Sequence, residues 1–504
     1  MVTTKSPNES TKYSSLQDGK LTPWLLVSAI SATVGGSLQF GYGTGVMSAP
    51  SPEMKKFFNQ SNFDRRGEYL TDDALLWLWS FTVSFFCVGG ALGAYTASYL
   101  ADRLGRRTTL VVNNVFSIIA SIMFGVSLVA NNYEMIMIAR IIYGFYAGTA
   151  ITVVPLYLSE ISPVNLRGAI GTFHQLMTTL GILSSQVLGL FIFPKDDQWP
   201  IVLALTGVFS VFNLVTMPFC PESPRWFLIN KNEPEKAREA LEKFRGAGAD
   251  IEDEIQEMKD EAIEHEKLEK IGVWEVITLK DRDWKMPLII CMMLHGGQQL
   301  SGINAIFFYL DSIYKQAGMT PDQVAFATVG TGAINVIMTL VSVAVIERAG
   351  RRFLLLYPYF LMAVFHGCLT VTLTLQETVD WLKWLSMAFI FLYIIAFAIG
   401  PGPVPFVIVP ELWAQAPRPA AMSISVQTNW FANFVVGITF SFIQESIDAY
   451  TFLVFMVCCL ITAVFIVFFV PETKGKTFEE VVDLFRGKPR SNSGYEMEEK
   501  KEKI

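Results

Sequence analysis

The pentapeptide RLGRR at 103–107 returns with one substitution as RAGRR at 348–352. Two further pairs of motifs stand in the same order, and the offset is between 245 and 251 residues in all three cases. They are Glu160 with Arg167, matched by Glu411 with Arg418, and PESPR at 221–225, matched by PETKG at 471–475. Three repeats at nearly one offset indicate a chain built from two related halves.

Apolar runs surround these motifs and are long enough to cross a bilayer. Charged residues make up 17% of the 504 residues, whereas a soluble chain has roughly a quarter. A hydrocarbon core of about 30 Å needs roughly 20 helical residues. Twelve uncharged runs are long enough to span it: 21–52, 74–101, 108–133, 141–159, 168–194, 198–221, 287–310, 323–346, 353–376, 384–410, 419–444 and 449–471. The sequence therefore predicts an all-α membrane protein with twelve transmembrane helices.

The runs fall into two groups of six, separated by a charged insert. This order predicts an N-terminal tail 1–20, a six-helix bundle 21–221, a helical linker 222–286, a second six-helix bundle 287–471 and a C-terminal tail 472–504. In the linker, we expect Ala237, Ala240, Leu241 and Phe244 to share one apolar helix face. An even number of spans in each half predicts a parallel repeat.

Lys and Arg are unevenly divided among the predicted loops. The second, fourth, eighth and tenth loops carry Arg106, Arg167, Arg351 and Arg418 among others, and most of the alternate loops are poorer. Because cytoplasmic loops carry such an excess, we expect both termini and the linker in the cytoplasm.

The repeated acids and arginines fall at these predicted cytoplasmic ends, where they can bridge neighbouring helices. The positive-inside bias does not require Glu at a fixed distance from Arg, so we favour ion pairs over a topology signal alone. The predicted network consists of Arg106, Arg107, Glu160, Arg167, Glu347, Arg351, Arg352, Glu411 and Arg418.

One predicted span is unusually polar. The stretch HGGQQLSGINAIFFY at 295–309 places Gln298, Gln299 and Asn304 in an apolar run, although an unpaired amide is costly in hydrocarbon. On a straight helix the three amides point in different directions, but the glycines of this stretch favour a bend that would gather them. Amides donate and accept hydrogen bonds and stay neutral, so water or a neutral polar ligand can pair with them. Alternatively, they join helices to one another.

Several motifs together resemble those of the sugar porter family in the major facilitator superfamily, and within it the animal facilitative hexose transporters. They are LQFGYGTGV (38–46), the two G-R-R loops, PESPR, QQLSGIN (298–304), ERAGRR (347–352), GPGPVP (400–405), RPAA (418–421) and PETKGKTF (471–478). The resemblance implies the major facilitator fold, alternating access, a central monosaccharide site and a multi-pass protein of the plasma membrane. It implies no cofactor. The expected partners are a monosaccharide and membrane lipid, and no protein partner is inferred.

The resemblance also implies positions for the sugar. The expected substrate-binding residues are Gln175, Gln298, Gln299, Asn304, Asn335, Asn429, Phe397, Phe406 and Trp430. Trp430 can stack on a sugar face, and a packing role suits it equally well. The expected gating residues are Tyr309, which by resemblance helps to close an outer gate, Phe308 beside it, and Pro401 and Pro403 in the helix-breaking stretch 400–405.

Some positions depart from the pattern of the glucose carriers. Ala398 stands where they usually have Glu, Phe406 where they usually have Trp, and HGG at 295–297 where Gln-Leu-Ser is often found. The alanine and the glycines are similar to the fructose-carrying branch, whereas Phe397 and Asn429 are similar to glucose carriers. The main prediction is therefore D-glucose, with fructose or mixed hexose selectivity as the alternative and urate or a polyol as a more remote one.

The first span lacks the acid that proton-driven members of this family carry after FGY. That position is Gly43, and 21–52 contains no acid at all. Because proton relays need a titratable group at depth, we expect uncoupled, facilitative transport.

Other classes of protein are disfavoured. Six cysteines without metal-ligand spacing and four scattered histidines predict neither a metal site nor an enzyme. A net charge of −7 spread over the loops suggests no nucleic-acid partner. A channel rarely needs two related halves in one chain. Asn59-Gln60-Ser61 is a sequon in the predicted outer loop, so Asn59 is expected to carry a glycan.

Overall fold

The structure is a computed structural model. It describes residues 19–163, 165–192, 197–246, 248–267, 271–346, 348–376, 378–414 and 416–474, together with 476, 480, 481 and 485. Within these residues every regular element is helical, and no strand occurs. The predicted tails fall largely outside them.

Nine α-helices precede the insert: α1 (Pro23–Ala32), α2 (Gln39–Gly45), α3 (Ser51–Arg66), α4 (Asp72–Leu104), α5 (Arg106–Val126), α6 (Glu134–Ile161), α7 (Arg167–Val187), α8 (Trp199–Ala204) and α9 (Thr206–Thr216), as far as the described residues show. A π-helical turn at Thr33–Leu38 joins α1 to α2, and another at Leu188–Ile192 extends α7.

The insert contributes α10 (Pro234–Arg245), α11 (Glu252–Lys267) and α12 (Val273–Ile277). The helices that follow are α13 (Lys285–Leu300), α14 (Ile303–Gln316), α15 (Pro321–Ile346), α16 (Arg351–Leu375), α17 (Leu382–Ile399), α18 (Val404–Glu411), α19 (Arg418–Ile447) and α20 (Thr451–Phe469).

The insert packs against one end of the helical bundle. Its predicted apolar face is confirmed, because Ala237, Ala240, Leu241 and Phe244 are all buried. Thr22 Oγ1 donates to Phe244 O (2.8 Å), which ties α10 to the start of α1. We call this end of the bundle, which also carries the connections α4–α5 and α15–α16, the insert end, and the opposite end, which carries α3, the α3 end.

Nine stretches of the described residues are long and apolar enough to cross a membrane: Pro23–Gly45, Asp72–Leu104, Arg106–Val126, Glu134–Ile161, Trp199–Phe219, Pro321–Ile346, Arg351–Leu375, Leu382–Glu411 and Arg418–Phe469. The last of them contains both α19 and α20. The predicted runs 168–194 and 287–310 are absent from this set. The first of these runs is rich in hydroxyl and amide side chains, and a break divides the second into two shorter helices.

Helices that precede the insert pack chiefly against one another, and so do those that follow it. We call α1–α9 the first group and α13–α20 the second group. The principal contacts between the groups join α4 to α19 and α7 to α15. Glycines permit close packing within the first group, since a Cβ on Gly93 of α4 would lie 2.1 Å from the carbonyl oxygen of Phe145 on α6.

The predicted bend in the polar stretch is confirmed as a break between α13 and α14. Gly302 has φ +92°, a left-handed conformation that glycine adopts without steric cost. A Cβ at Gly302 would also lie 2.8 Å from the Phe455 ring. Gly296 and Gly297 stay inside α13, where a Cβ on Gly297 would come within 2.6 Å of Thr462 Oγ1. Gly302 therefore makes the break, and Gly297 allows α20 to approach.

Gly302→Ala should destabilise the protein through both backbone strain and the clash with Phe455. Gly318→Ala is the matched control, since Gly318 has φ +74° with open space around it. We expect a loss of about 1–2 kcal/mol in unfolding free energy for the control and a larger loss for Gly302→Ala. Chemical denaturation in detergent micelles measures both values. Equal losses would show that the Phe455 contact imposes no constraint.

Candidate functional site

The break between α13 and α14 gathers the amides of the polar stretch. Gln298 and Gln299 lie on the last turn of α13, Asn304 lies on the first turn of α14, and Asn429 approaches from α19. Gln299 Nε2 donates to Asn429 Oδ1 (3.0 Å) and Gln298 Oε1 (3.3 Å), and its Oε1 accepts from Asn304 Nδ2 (2.6 Å). Asn429 Nδ2 donates to Gln298 Oε1 (2.6 Å). These four residues form one connected group, which we call the amide network.

A second helix break supplies further partners for the amide network. Between α17 and α18 the backbone leaves the helical conformation, and Gln298 Nε2 donates to Pro401 O (2.8 Å) and Gly402 O (2.7 Å). Gly400 is required here because a Cβ would lie 1.7 Å from the carbonyl oxygen of Leu354 on α16. The carbonyls that this break frees from helical pairing thus become acceptors for a side chain of the site.

The amide network can exchange its internal bonds for bonds to a ligand. Each amide donates and accepts, so a ligand hydroxyl, which does both, can replace one partner without leaving an atom unpaired. Gln298 is 3% and Gln299 7% exposed, whereas Asn304 and Asn429 are more accessible. No charged group is hydrogen-bonded to the four amides among the described residues. The chemistry offered is neutral, polar recognition of a polyhydroxyl compound.

Aromatic side chains lie beside the network. The His295 ring meets Phe406 edge to face, with centroids 4.8 Å apart, and its Nδ1 lies 3.5 Å from Asn429 Nδ2. Phe406 is 42% exposed. Phe397 is half-buried, and a Cβ on Gly402 would lie 3.1 Å from its ring. Both phenylalanines therefore flank the second break, as their positions around 400–405 predict.

Asn335 and Gln175 stand apart from the amide network. Asn335 is buried on α15, and Gln175 has an exposed side chain on α7. Among the described residues neither side chain makes a hydrogen bond to the four amides. The helices that carry them, α7 and α15, pack against each other in the second main contact between the groups.

Trp430 lies between the two groups. It is 4% exposed and meets Phe40 and Phe86 edge to face, with centroid distances of 6.0 and 5.8 Å. Gly90 of α4 makes room for it, since a Cβ there would lie 2.4 Å from the indole ring. These contacts favour the packing interpretation of Trp430.

Two of the residues predicted to form a gate, Tyr309 and Phe308, are buried on α14 near the α3 end. Tyr309 has non-helical torsion angles (φ −122°, ψ 19°), stacks on Phe440 at 4.7 Å and donates from its hydroxyl to Gly437 O (2.9 Å). Phe308 is buried close to Gly437. Two residues further on, the backbone N–H of Asp311 donates to Ser48 Oγ (3.1 Å), which joins the two groups. Pro401 and Pro403 lie in the second break.

The repeated charges of the first group meet at the insert end. Arg106 on α5 is 7% exposed, and its Nε lies 2.9 Å from Glu160 Oε2 on α6. Glu222 accepts from the backbone N–H groups of Arg107 (2.9 Å) and Thr108 (3.2 Å), so a carboxylate lies at the N-terminus of α5. A negative charge is favourable there, because the N-terminus of a helix carries a partial positive charge. The Arg107 side chain donates to backbone carbonyls, including Cys220 O (3.1 Å).

The second group repeats these contacts with its own residues. Arg351 Nη2 lies 3.2 Å from Glu411 Oε1, and Glu472 accepts from the backbone N–H groups of Arg351 (2.9 Å) and Arg352 (3.1 Å) at the N-terminus of α16. Arg352 donates to Val467 O, and Arg418 donates to Trp413 O (3.2 Å). All of these contacts lie within the second group or between it and the segment that follows α20. None of them reaches the first group.

Two members of the predicted network cannot be placed. Glu347 lies outside the described residues, and so does the side chain of Arg167. Conversely, the sequence reasoning gave no role to Glu222 and Glu472. The signal was present, because both are the acid of the repeated P-E-S and P-E-T motifs.

Sequence reasoning also missed Arg140, which lies inside α6 although the predicted span began at Ile141. Arg140 is fully buried and donates to the carbonyl oxygens of Gly43 (3.0 Å), Thr82 (3.3 Å) and Val83 (3.3 Å). Among the described residues it forms no ion pair. Carbonyl oxygens of two other helices therefore solvate its charge.

Asn59 lies on α3 and is half-buried, and its Oδ1 accepts from the backbone N–H of Leu70 (2.8 Å). The glycan at this position stays a prediction.

The chain matches the sugar (and other) transporter family over residues 28–485. It is 42% identical over 470 residues to the facilitated glucose transporter member 5 of Bos taurus, covering 93% of each chain. It is 42% identical over 486 residues to the facilitated glucose transporter member 7 of Mus musculus, covering 96% of this chain and 94% of that one.

Two solved structures share the fold. The inward-open xylose transporter XylE from E. coli matches with a TM-score of 0.76 at 25% identity, covering 91% of this chain and 99% of that one. XylE described as a proton:xylose symporter and bound to 6-bromo-6-deoxy-D-glucose matches with a TM-score of 0.75 at 25% identity, covering 92% and 99%.

Glu222→Gln and Glu472→Gln should each destabilise the protein, because the helix N-terminus loses a charge and one strong acceptor. We expect a loss of about 1–3 kcal/mol in unfolding free energy for each. Glu275→Gln is the control, since Glu275 accepts from Gly272 N (2.8 Å) at the exposed start of α12. Its loss should stay below about 1 kcal/mol. Thermal or chemical unfolding in detergent compares the three variants, and a control loss as large as the others would contradict the special role assigned to the carboxylates at α5 and α16.

Proposed function

Since this chain belongs to the sugar transporter family, we propose that it carries hexoses across a membrane by alternating access and without coupling to a second gradient. The chain is a transporter and not an enzyme. The observation that carries the proposal is the amide network, which gathers neutral donors and acceptors at two helix breaks.

The proposed topology has twelve spans in two six-helix bundles, 21–221 and 287–471. The nine apolar stretches become ten when α19 and α20 are counted separately. The broken pair α13–α14 and α7 with its π-helical extension supply the remaining two. In this topology the linker 222–286 and both termini are cytoplasmic, and the membrane is the plasma membrane. The insert end then faces the cytoplasm, the α3 end faces outward, and Asn59 is accessible to glycosylation.

The proposed substrate site includes the amide network with Phe397 and Phe406 beside it. Gln175 and Asn335 complete it from α7 and α15, so that both groups contribute to binding. Trp430 would close the site from the interface between the groups. A site between two bodies is accessible from one side or the other as the bodies rock, which is the basis of alternating access.

The contacts at the two ends support this movement. At the insert end, Arg106 pairs with Glu160 and Arg351 with Glu411, each within its own group, so separating the groups there does not break these pairs. At the α3 end, the bond from Asp311 to Ser48 holds the groups together. Tyr309 and Phe308 would act as the outer gate above the amide network, and Pro401 and Pro403 as the hinge of the tenth span.

Uncoupled transport is supported by the surroundings of Gly43. A Cβ at this position would lie 2.3 Å from the Tyr143 ring, and the Gly43 carbonyl already accepts from Arg140. An acidic side chain at position 43 would therefore need Tyr143 to move. Asp311 is a buried carboxylate near the α3 end, but it pairs with Lys315 (2.8 Å) and lies outside the amide network.

D-Glucose is the first candidate substrate and fructose the second. The relatives are named facilitated glucose transporters. The case for fructose rests on Ala398, which is similar to the fructose-carrying branch and is buried in the tenth span, where glucose carriers usually have Glu.

Purified protein in proteoliposomes should take up labelled glucose or fructose with saturation, and unlabelled hexose should compete. We expect the initial rate to be unchanged when a pH gradient is dissipated at a fixed sugar gradient. A rate that collapses with the proton gradient would contradict uncoupled transport. Uptake of urate or a polyol with no hexose uptake would contradict the proposed substrate class.

Gln298→Leu should raise the KM for the transported hexose about tenfold or more, because it removes a donor and an acceptor from the centre of the network. Gln444→Leu is the control, since Gln444 lies on α19 and donates to Gln316 (2.9 Å) near the α3 end. Its KM should equal that of the wild type. Equal KM values in the two variants would contradict the proposal that the amide network binds the hexose.

A further inference from the structure

Two side chains from α16 and α17 meet the backbone at the break between α13 and α14. His366 Nε2 lies 2.9 Å from Ser301 O, and the Tyr393 hydroxyl donates to the same oxygen at 2.9 Å. His366 is 1% and Tyr393 2% exposed. A carbonyl at a helix end lacks its helical partner and must find another one when it is buried. At Ser301 two side chains supply that partner.

The geometry fixes the role of the histidine. A carbonyl oxygen only accepts, so Nε2 of His366 must carry a proton, and in the neutral ring Nδ1 is then bare. Nδ1 is buried and has no hydrogen-bond partner in the described part of the chain. A buried polar atom without a partner is costly. A phenyl ring would avoid this cost, so packing alone does not account for an imidazole here.

Aromatic neighbours hold the imidazole in place. The His366 ring lies 4.6 Å from the Tyr393 ring, 5.9 Å from Phe452 and 5.8 Å from Phe455, measured between centroids. The Phe455 ring is also the group that a Cβ at Gly302 would strike. The donors to Ser301 and the left-handed turn at Gly302 are thus packed as one unit.

This unit is continuous with the amide network. Ser301 Oγ donates to the backbone carbonyl of Gln298 (2.6 Å), and the Gln298 side chain donates to Pro401 O and Gly402 O. Tyr393 lies on α17, which leads directly into that second break. Gln298 is therefore held through its backbone at one break and through its side chain at the other.

We propose that His366 and Tyr393 are positioning residues: together they clamp the Ser301 carbonyl and so set the direction in which Gln298 and Gln299 face the substrate. They touch no substrate themselves. The inference rests on the proposed function for its transport readout, but the clamp itself is a statement about the backbone at 301–302.

Four variants test the clamp. His366→Gln retains an N–H donor at a similar distance from the backbone, whereas His366→Phe keeps a ring and loses the donor. Tyr393→Phe loses only the hydroxyl, and the fourth variant combines both phenylalanines. KM and Vmax for glucose and for fructose are measured in proteoliposomes, with Vmax normalised to the amount of reconstituted carrier.

We expect His366→Gln to keep the wild-type KM. The two single phenylalanine variants should each raise KM by about two- to tenfold. The double variant should raise it by more than the product of the two factors, because each single variant still leaves Ser301 O with one donor. A change in the ratio of the glucose and fructose KM values would accompany these effects, since the amides are reoriented.

Three results would overturn the clamp. One is a double variant that keeps the wild-type KM and differs only in yielding less folded carrier, which would indicate a purely structural role. Another is a His366→Gln variant that behaves like His366→Phe. The third is hydrogen–deuterium exchange at residues 302–306 that is no faster in the double variant than in the wild type. The exchange measurement needs no substrate. Wild-type protein that transports neither hexose would therefore refute the proposed function, while the exchange rates would still test the clamp.

Discussion

A polar group buried in a membrane-spanning bundle must find its partner inside the protein, because hydrocarbon offers none. The centre of this molecule is organised by that requirement. Two helices break, at Gly302 and between Ile399 and Val404, and each break exposes backbone carbonyls. The amides of Gln298, Gln299, Asn304 and Asn429 pair with one another and with the carbonyls of the second break.

The same requirement explains why the amide network suits a reversible carrier. Hydrogen bonds between neutral amides hold the proposed site together without a net charge, so exchanging them for bonds to a neutral sugar would move no charge across the membrane. A charged site would bind more strongly but would pay a larger desolvation cost at each opening. Arg140 shows the contrast, because backbone carbonyls fix its charge within the first group, away from the amide network.

At the insert end, two carboxylates accept hydrogen bonds from the backbone N–H groups at helix N-termini, whereas Glu160 and Glu411 pair with arginine side chains. Glu222 at α5 and Glu472 at α16 accept from paired backbone N–H groups, and a glycine precedes each helix where a Cβ would strike the carboxylate. A helix N-terminus attracts negative charge through its unpaired N–H groups and its dipole. These contacts stay within each group or the segment next to it, so they do not join the two groups at this end.

The sequence predicted the helical membrane fold, the repeat and the polar span well, because these depend on local composition and on spacing along the chain. It predicted a bend among the three glycines of the polar stretch for the same reason, and the structure places the break at Gly302, whose backbone conformation glycine adopts without steric cost. It was less accurate at span ends, where the predicted run began at Ile141 and so left Arg140 outside α6.

What the sequence determined by itself is the set of apolar segments, their duplication and the presence of amides among them. Only the tertiary structure decided which amides meet, that Trp430 packs between the groups, and that His366 and Tyr393 both donate to the carbonyl oxygen of Ser301. The physical reason is that hydropathy is a property of each segment, whereas a hydrogen bond depends on positions within a few tenths of an ångström. Residues separated by 65 to 131 positions in the chain acquire such positions only when the helices pack.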